Sequence, residues 1–292
     1  KPFETIIKQS QDSTIRELIL CVVQNMVLAR VNNIRSGWKN ILVVLGTAAG
    51  DSNPNLVSLG FSVAESLVKQ HFAKIRNDFI DLLSCLLAFA RGVSLPVSLA
   101  ALDLLRRCAV HLALGHVPLA SNDAAGTQAN ANDVSEDDVS RLLGNATTAA
   151  EQSENTSETN VSSQSTDTPN ASVEGGVNKS SSGTTPQVVT YSTDEEHVAV
   201  WWPLLMGLVD LVTERRLEVR IRAVQALLGS FFVAGPGFTD HLWQLVFKAI
   251  LFPVFDDTTH GGREPLQPPS REAEWLTTTC AAAFGALVDL FT

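Results

Sequence analysis

The side chains best placed to do chemistry in this chain are cations set beside rings and acids, and the chemistry they suit is recognition rather than bond-making. Between residues 33 and 41 the sequence reads Asn-Ile-Arg-Ser-Gly-Trp-Lys-Asn-Ile, with Arg35 and Lys39 on either side of Trp38. A glycine beside a large ring permits a sharp turn that the ring can anchor. If Ser36 caps a helix that starts at Gly37, both cations stand at its N-terminal end, where the helix dipole favours anions instead. Their charge must serve something else. Either Trp38 wedges between neighbouring repeats while Arg35 and Lys39 bond the next helix, or the two cations meet an acidic or anionic partner. A second cluster, Arg215, Arg216, Arg220 and Arg222, interleaves with Glu214 and Glu218. Glu218 and Arg222 at i,i+4 suggest a salt-bridged corner between helices, and a cationic groove for a partner's carboxylates is the alternative.

No pattern for catalysis accompanies these cations. The nearest approach to a phosphate loop, residues 46–52 (Gly-Thr-Ala-Ala-Gly-Asp-Ser), has three residues between its glycines and an Asp where Lys is required. There is no G-x-S-x-G elbow, and Ser94 reads as a helix cap. His71, His111, His116, His197, His241 and His260 never fall at metal-ligand spacing. Asp78 with Asp81, and Asp256 with Asp257, are close enough to form acid–base dyads but read more simply as charges on helix faces or ends. Cys21, Cys85, Cys108 and Cys280 each sit inside an apolar helical pattern without C-x-x-C spacing, as buried reduced thiols of a cytosolic protein do. No cofactor is implied.

The elements that must position these residues are helices. Of 292 residues, 45% are apolar and 18% charged, ample for sizeable cores. Ordered stretches repeat their apolar residues at the helical period, and none alternates as a strand would. Thr14 with Glu17 three residues on forms a capping box for a first helix, and a second runs from Gly37 to Ala49. Asn53 and Pro54 open a third that reaches Phe72; a fourth spans Ile75 to Phe89; a fifth runs from Ser94 to Leu114. The same pattern resumes at Val198 to Thr213, Leu217 to Val233, Thr239 to Phe255 and Ser270 to Phe291. The aromatic residues Trp201, Trp202, Trp243, Phe247, Phe252 and Phe255 recur at helical spacing, as core residues do. Helices arrive in pairs of about 35 to 45 residues, the period at which armadillo and HEAT-type repeats stack. An all-α solenoid follows, with a globular bundle as the alternative.

Charge divides the chain in three. The net charge of −10 resides in residues 120–196, which hold 13 acidic residues against Arg141 and Lys179. That stretch is rich in Ser, Thr and Asn, and predicts a disordered insert in which residues 133–143 form a short helix in passing. Its five Asn-x-Ser/Thr sequons read as chance in such a composition, with phosphorylation the better expectation. Residues 1–119 and 197–292 are then two helical-repeat regions of nearly balanced charge, without the basic footprint of nucleic-acid binding. No apolar run reaches the roughly 18 residues needed to span a bilayer. The start at Lys-Pro-Phe-Glu, without Met, reads as the interior of a longer protein.

Several short motifs occur in one order. They are residues 1–4 (Lys-Pro-Phe-Glu), Ile15-Arg16, residues 33–40, His71-Phe72, Phe79 with Asp81, Cys85-Leu86 and Phe89-Ala90. After the insert come Trp202-Pro203, residues 217–220 (Leu-Glu-Val-Arg), Phe238, His241 with Trp243-Gln244, Phe247, Phe255-Asp256 and residues 274–280 (Glu-Trp-Leu-Thr-Thr-Thr-Cys). Together they resemble the helical regions downstream of the catalytic domain in large Arf guanine-nucleotide exchange factors of the Sec-seven and brefeldin A-inhibited (BIG) group. The long insert departs from that family. The resemblance implies a non-catalytic regulatory segment without the exchange domain, acting at Golgi and trans-Golgi membranes from the cytoplasm. It implies Arf-family GTPases, and in second place Rab-family GTPases, as partners, with peripheral membrane contact and homodimerisation through the full-length protein; a scaffold or dimerisation module is the alternative. On this reading Arg35, Trp38, Lys39, Arg215, Arg216 and Arg220 are the partner-binding residues.

Overall fold

Side chains at the helix starts set the boundaries of the fold. In the computed structural model, residues 2–115 and 194–255 are described, together with 139–141, 143, 278, 279, 283, 285 and 288. Helix α1 spans Pro2–Gln9 and α2 spans Ser13–Arg30. The cap of α2 is Asp12, whose carboxylate accepts from the Thr14 backbone N–H at 2.8 Å, and not Thr14 itself. A carboxylate satisfies an orphan amide and also complements the dipole, which a hydroxyl does not. Helix α3, Trp38–Ala48, begins without a side-chain cap: Gly37 holds the cap position and Ser36 makes no cap bond. Asn53 and Pro54 open α4, Pro54–Gln70, as their order predicts, with Asn53 accepting from Asn55 N–H at 3.0 Å.

The expected fourth helix, Ile75 to Phe89, begins instead at Phe79: a short α5, Phe72–Ile75, and a 3₁₀ turn at Arg76–Asp78 precede α6, Phe79–Ala90. Helix α7 spans Leu95–Ala113, α8 Asp194–Val212 and α9 Leu217–Ala234. The start of α8 lies within the stretch read as insert, because Asp194, Glu195 and Glu196 fill its first turn with the charge that a helix N-terminus favours. Thr239 caps α10, Asp240–Val246, which runs through a π turn at Phe247–Leu251 into α11, Phe252–Phe255. Residues 139–141 and 143 are helical, within the segment expected to form a short helix. Most of the insert, its sequons, Cys280, Asp256 and Asp257, and most of the final predicted helix lie outside the described residues.

These helices pack in two layers. One contains α1, α3, α6, α8 and α10, each in contact with the next; the other contains α2, α4, α7 and α9, likewise in succession. Across the layers α1 pairs with α2, α3 with α4, α6 with α7 and α8 with α9. The whole is all-helical among the described residues, and one apolar cluster runs through it from Ile7 to Val254. Close spacing within the first layer depends on glycine. A Cβ on Gly46 of α3 would sit 3.4 Å from the Cα of Cys85 on α6, and one on Gly207 of α8 would sit 2.7 Å from Cδ1 of Leu87. Cys85 and Cys108 are buried and free, and burial pushes the Cys85 thiol up to about 12 and the Cys108 thiol higher still. They are inert packing residues; Cys21 is free and half-buried. Among the described residues no helix is long and apolar enough to cross a membrane.

Candidate interaction surface

Two layers of antiparallel pairs have two edges. The turns within pairs, between α1 and α2, α3 and α4, α6 and α7, and α8 and α9, form one edge. The connections between pairs form the other.

Arginines hold the first edge together. Arg16 of α2 donates from Nε and Nη2 to the two carboxylate oxygens of Asp51, at 2.6 and 3.2 Å, and from Nη1 to the Ser10 carbonyl at 3.0 Å. Burial alone would raise the Asp51 carboxyl. The Arg16 hydrogen bond, the Asn53 amide and the Arg16 charge outweigh burial and hold it below its usual value. Arg216, at the cap of α9, reaches back to the α6–α7 turn: Nη1 donates to the Gly92 carbonyl at 2.8 Å and to Ser98 Oγ at 3.0 Å, and Nη2 to the Ala90 carbonyl at 3.1 Å. These bonds satisfy carbonyls that α6 leaves open at its C-terminus. Arg220 donates to the carbonyls of Glu214 and Arg215 and to Thr279 Oγ1. Arg222 pairs with Asp103 of α7 at 3.5 Å rather than with Glu218, because the helices are close enough for a cross-helix partner to replace the i,i+4 one. Arg215 is exposed.

Rings hold the second edge together. Trp38, 1% exposed, fills the start of α3. Phe72 of α5 stacks on His111 at the end of α7, with centroids 4.3 Å apart and planes 8° from parallel, and meets Phe79 edge-on. At the α9–α10 connection Phe238 touches Trp201, Phe231, Trp243 and His197, all within 6.3 Å between centroids. The Trp243 indole N–H donates to the Gly235 carbonyl at 3.2 Å. The expectation of core aromatics holds for Trp201, whereas Trp202, Trp243 and Phe247 are half-buried and Phe252 is 67% exposed. His197 is buried, and that burial lowers its imidazole below the usual value against the pull of Asp194.

Because rings tie this edge, its cations are left over. Arg35 and Lys39 are both exposed, and among the described residues neither makes an ion pair within 4 Å. Near Lys39 stands Asp78, half-buried like its neighbour Asp81. Burial, then the charge of Asp81, raises the Asp78 carboxyl, with Lys39 opposing. The six residues singled out from sequence thus fall into two groups on opposite edges. Arg35, Trp38 and Lys39 form one corner; Arg215, Arg216 and Arg220 form another, and of these three Arg215 alone makes no side-chain hydrogen bond among the described residues. Sequence reasoning missed the Arg16–Asp51 pair, whose partners stand 35 positions apart with no local signal. Among the described residues no group of three or more His, Cys, Asp or Glu is arranged to hold a metal ion.

Comparison with known proteins places the whole chain. Residues 1–66 match the family described as Mon2/Sec7/BIG1-like, HDS. Brefeldin A-inhibited guanine nucleotide-exchange protein 2 of Arabidopsis thaliana is 31% identical over 309 residues, covering 99% of this chain and 15% of that protein. Protein 3 of the same plant is 29% identical over 310 residues. The Homo sapiens protein 1 is 27% identical over 297 residues, covering 100% of this chain and 12% of its own length. The chain therefore spans about an eighth to a seventh of the relatives it matches. No solved structure matches it. The matches take in 99–100% of this chain, and by them the chain belongs to the BIG family of large guanine nucleotide-exchange proteins.

Proposed function

We propose that this chain is a non-catalytic regulatory segment of an Arf guanine-nucleotide exchange factor, working through protein contacts on the ring-tied edge. The observation that supports this most directly is the corner around Trp38: its ring is buried while Arg35 and Lys39 remain exposed and without ion pairs among the described residues. Cations that neither cap a helix nor bridge two are available to a partner, and charges at the rim of an interface chiefly set its on-rate and specificity. The partner that fits is an acidic surface of a GTP-loaded Arf-family GTPase, with Rab-family GTPases the second choice. Binding there would bias the position of a tethered exchange domain at Golgi and trans-Golgi membranes, with peripheral membrane contact and homodimerisation contributed by the full-length protein. The stacked pairs act as an armadillo- or HEAT-like solenoid offering an extended surface for such contacts, and residues 1–119 and 197–292 serve as consecutive helical regions joined by the acidic insert. Residues other than those of the ring-tied edge play lesser parts. Arg215 is the remaining exposed cation of the original six, and Arg216 and Arg220 shape its corner.

The test is double charge reversal, Arg35→Glu with Lys39→Glu, assayed by pull-down of GTP-loaded Arf and by vesicle flotation. Retention on Arf is expected to fall about tenfold or more while circular dichroism stays unchanged. Undiminished binding by a folded double variant would defeat the proposal. A second reading, a scaffold without GTPase contacts, predicts self-association by light scattering and no Arf retention by the native chain.

A further inference from the structure

A different part of the molecule carries a further inference: the outer face of the first helical pair. Every inner helix of the stack is covered from both sides. Helix α3 lies between α1 and α6, α4 between α2 and α7, α6 between α3 and α8, and α7 between α4 and α9. Helices α1 and α2 are covered from one side only among the described residues. The free side of α2 is nonetheless apolar. Its core-facing residues are Ile19, Leu20, Val23 and Val27. A second stripe at i, i+3, i+7 and i+11 is formed by Ile15, Leu18, Val22 and Met26, of which Leu18 is 64% exposed, Ile15 43% and Met26 41%. Thr14, Glu17, Gln24 and Asn25 share the remaining sector with half-buried Cys21 and with Leu28, which is 65% exposed, so the third sector of α2 is polar in the main but not throughout. On α1, Phe3 and Ile6 are exposed too.

We propose that this face is a stacking interface, and that its occupant is a further amphipathic helical pair of a longer polypeptide, laid on α1 and α2 as they lie on α3 and α4. Terminal repeats of helical stacks need a polar outer face to stay soluble, and this pair lacks one. The stripe has the spacing by which one helix seats its ridge on another. It also continues the sequence of interfaces already made between successive pairs. Its charges give an anionic membrane little to hold: Lys8 is engaged by Glu4 and Arg16 by Asp51, and the exposed Arg30 is balanced by Glu17. Relatives matched over 99–100% of this chain extend far beyond it, the matched part being 12–15% of their length, so proteins of this family have chain to supply such a pair.

The experiment is cysteine labelling at two positions, Leu18→Cys on the stripe and Glu17→Cys on the solvent face, with maleimide and peptide mass spectrometry to read each position apart from Cys21. Rates are compared between the 292-residue chain and the full-length protein. Labelling at position 18 is expected to slow at least tenfold in the full-length protein, while position 17 labels at the same rate in both. Equal rates at position 18 would overturn the proposal. Light scattering of the 292-residue chain covers the competing occupant: a monomer is expected, and a dimer abolished by Leu18→Asp would assign the face to a second copy instead.

Discussion

The two edges of the stack solve one problem with different side chains. Where pairs turn on themselves, open carbonyls at helix ends are close together, and guanidinium groups with several donors in a fixed fork satisfy them: Arg16 on Ser10, Arg216 on Ala90 and Gly92, Arg220 on Glu214 and Arg215. Where one pair hands over to the next, the connections are longer and rings fill the corners, as Trp38, Phe72 on His111, and Phe238 among its neighbours do. The difference decides which charges are available. On the first edge most arginines are spent on structure, and on the second they are not.

The largest effect should come from removing a ring. Trp38→Ala is expected to cost about 3–5 kcal/mol in urea unfolding, since a large buried side chain leaves a cavity at the α3 start. Arg216→Met keeps much of the side chain's bulk but deletes its bonds to Gly92, Ser98 and Ala90, and about 2–4 kcal/mol should be lost. If Arg216→Met were neutral, the account of the arginine edge would fail. Asp51→Asn should cost less, about 1–2 kcal/mol, by turning a charge-assisted pair into a neutral one.

Acid should then separate the edges. The Asp51 carboxyl is held below its ordinary 3.8, so its contribution is present above that value and is lost as pH falls below it. The His197 imidazole is also held low, below 6.5, because the folded state favours its neutral form. Its contribution is present above 6.5 and begins to be lost as pH drops beneath that. Thermal unfolding followed from pH 8 to pH 3 should show stability declining first below about pH 6.5 and again below about pH 4, the first stage disappearing in His197→Phe and the second in Asp51→Asn. The smallest effect on stability belongs to Arg35→Glu with Lys39→Glu, about 0.5–1 kcal/mol, because both side chains are exposed and what is lost is mainly the screened pull of Lys39 on the half-buried Asp78.

Much of the fold was legible because its signals are local. Asn53-Pro54 marks a helix start through one side-chain oxygen and one fixed φ, and the apolar spacing of α6, α7 and α9 identifies helices without reference to their neighbours. Misreadings arose where two local signals competed: Asp12 lies two residues before Thr14 and offers the stronger acceptor, and Ser36 yields to Gly37, which needs no side chain to turn the chain into α3. The break at Arg76–Asp78 within an apolar period was hidden, since 3₁₀ turns keep nearly the same spacing of apolar residues. Of the six candidate site residues, types and corners were legible, but their division between edges was not. That Arg216 reaches carbonyls more than a hundred positions away depends on which helices lie side by side, and spacing along one chain does not carry that.

One feature of the stack bears on how such a protein can be rebuilt. Helix α7 ends and α8 begins at the same edge, and the connection between them, residues 116–193, joins two pairs that already meet through α6 with α8 and α7 with α9. Entropy of loop closure rises only with the logarithm of length, about 0.6 kcal/mol per doubling, so a long connection costs the pairs it joins little, while Val139 within it is fully buried and the Leu143 carbonyl accepts from Arg106 of α7. The chain is therefore best opened after that contact: two polypeptides, 1–143 and 194–292, carry complementary parts of one apolar seam, and a sensor or tag domain spliced between them would report on the assembly without sitting inside it.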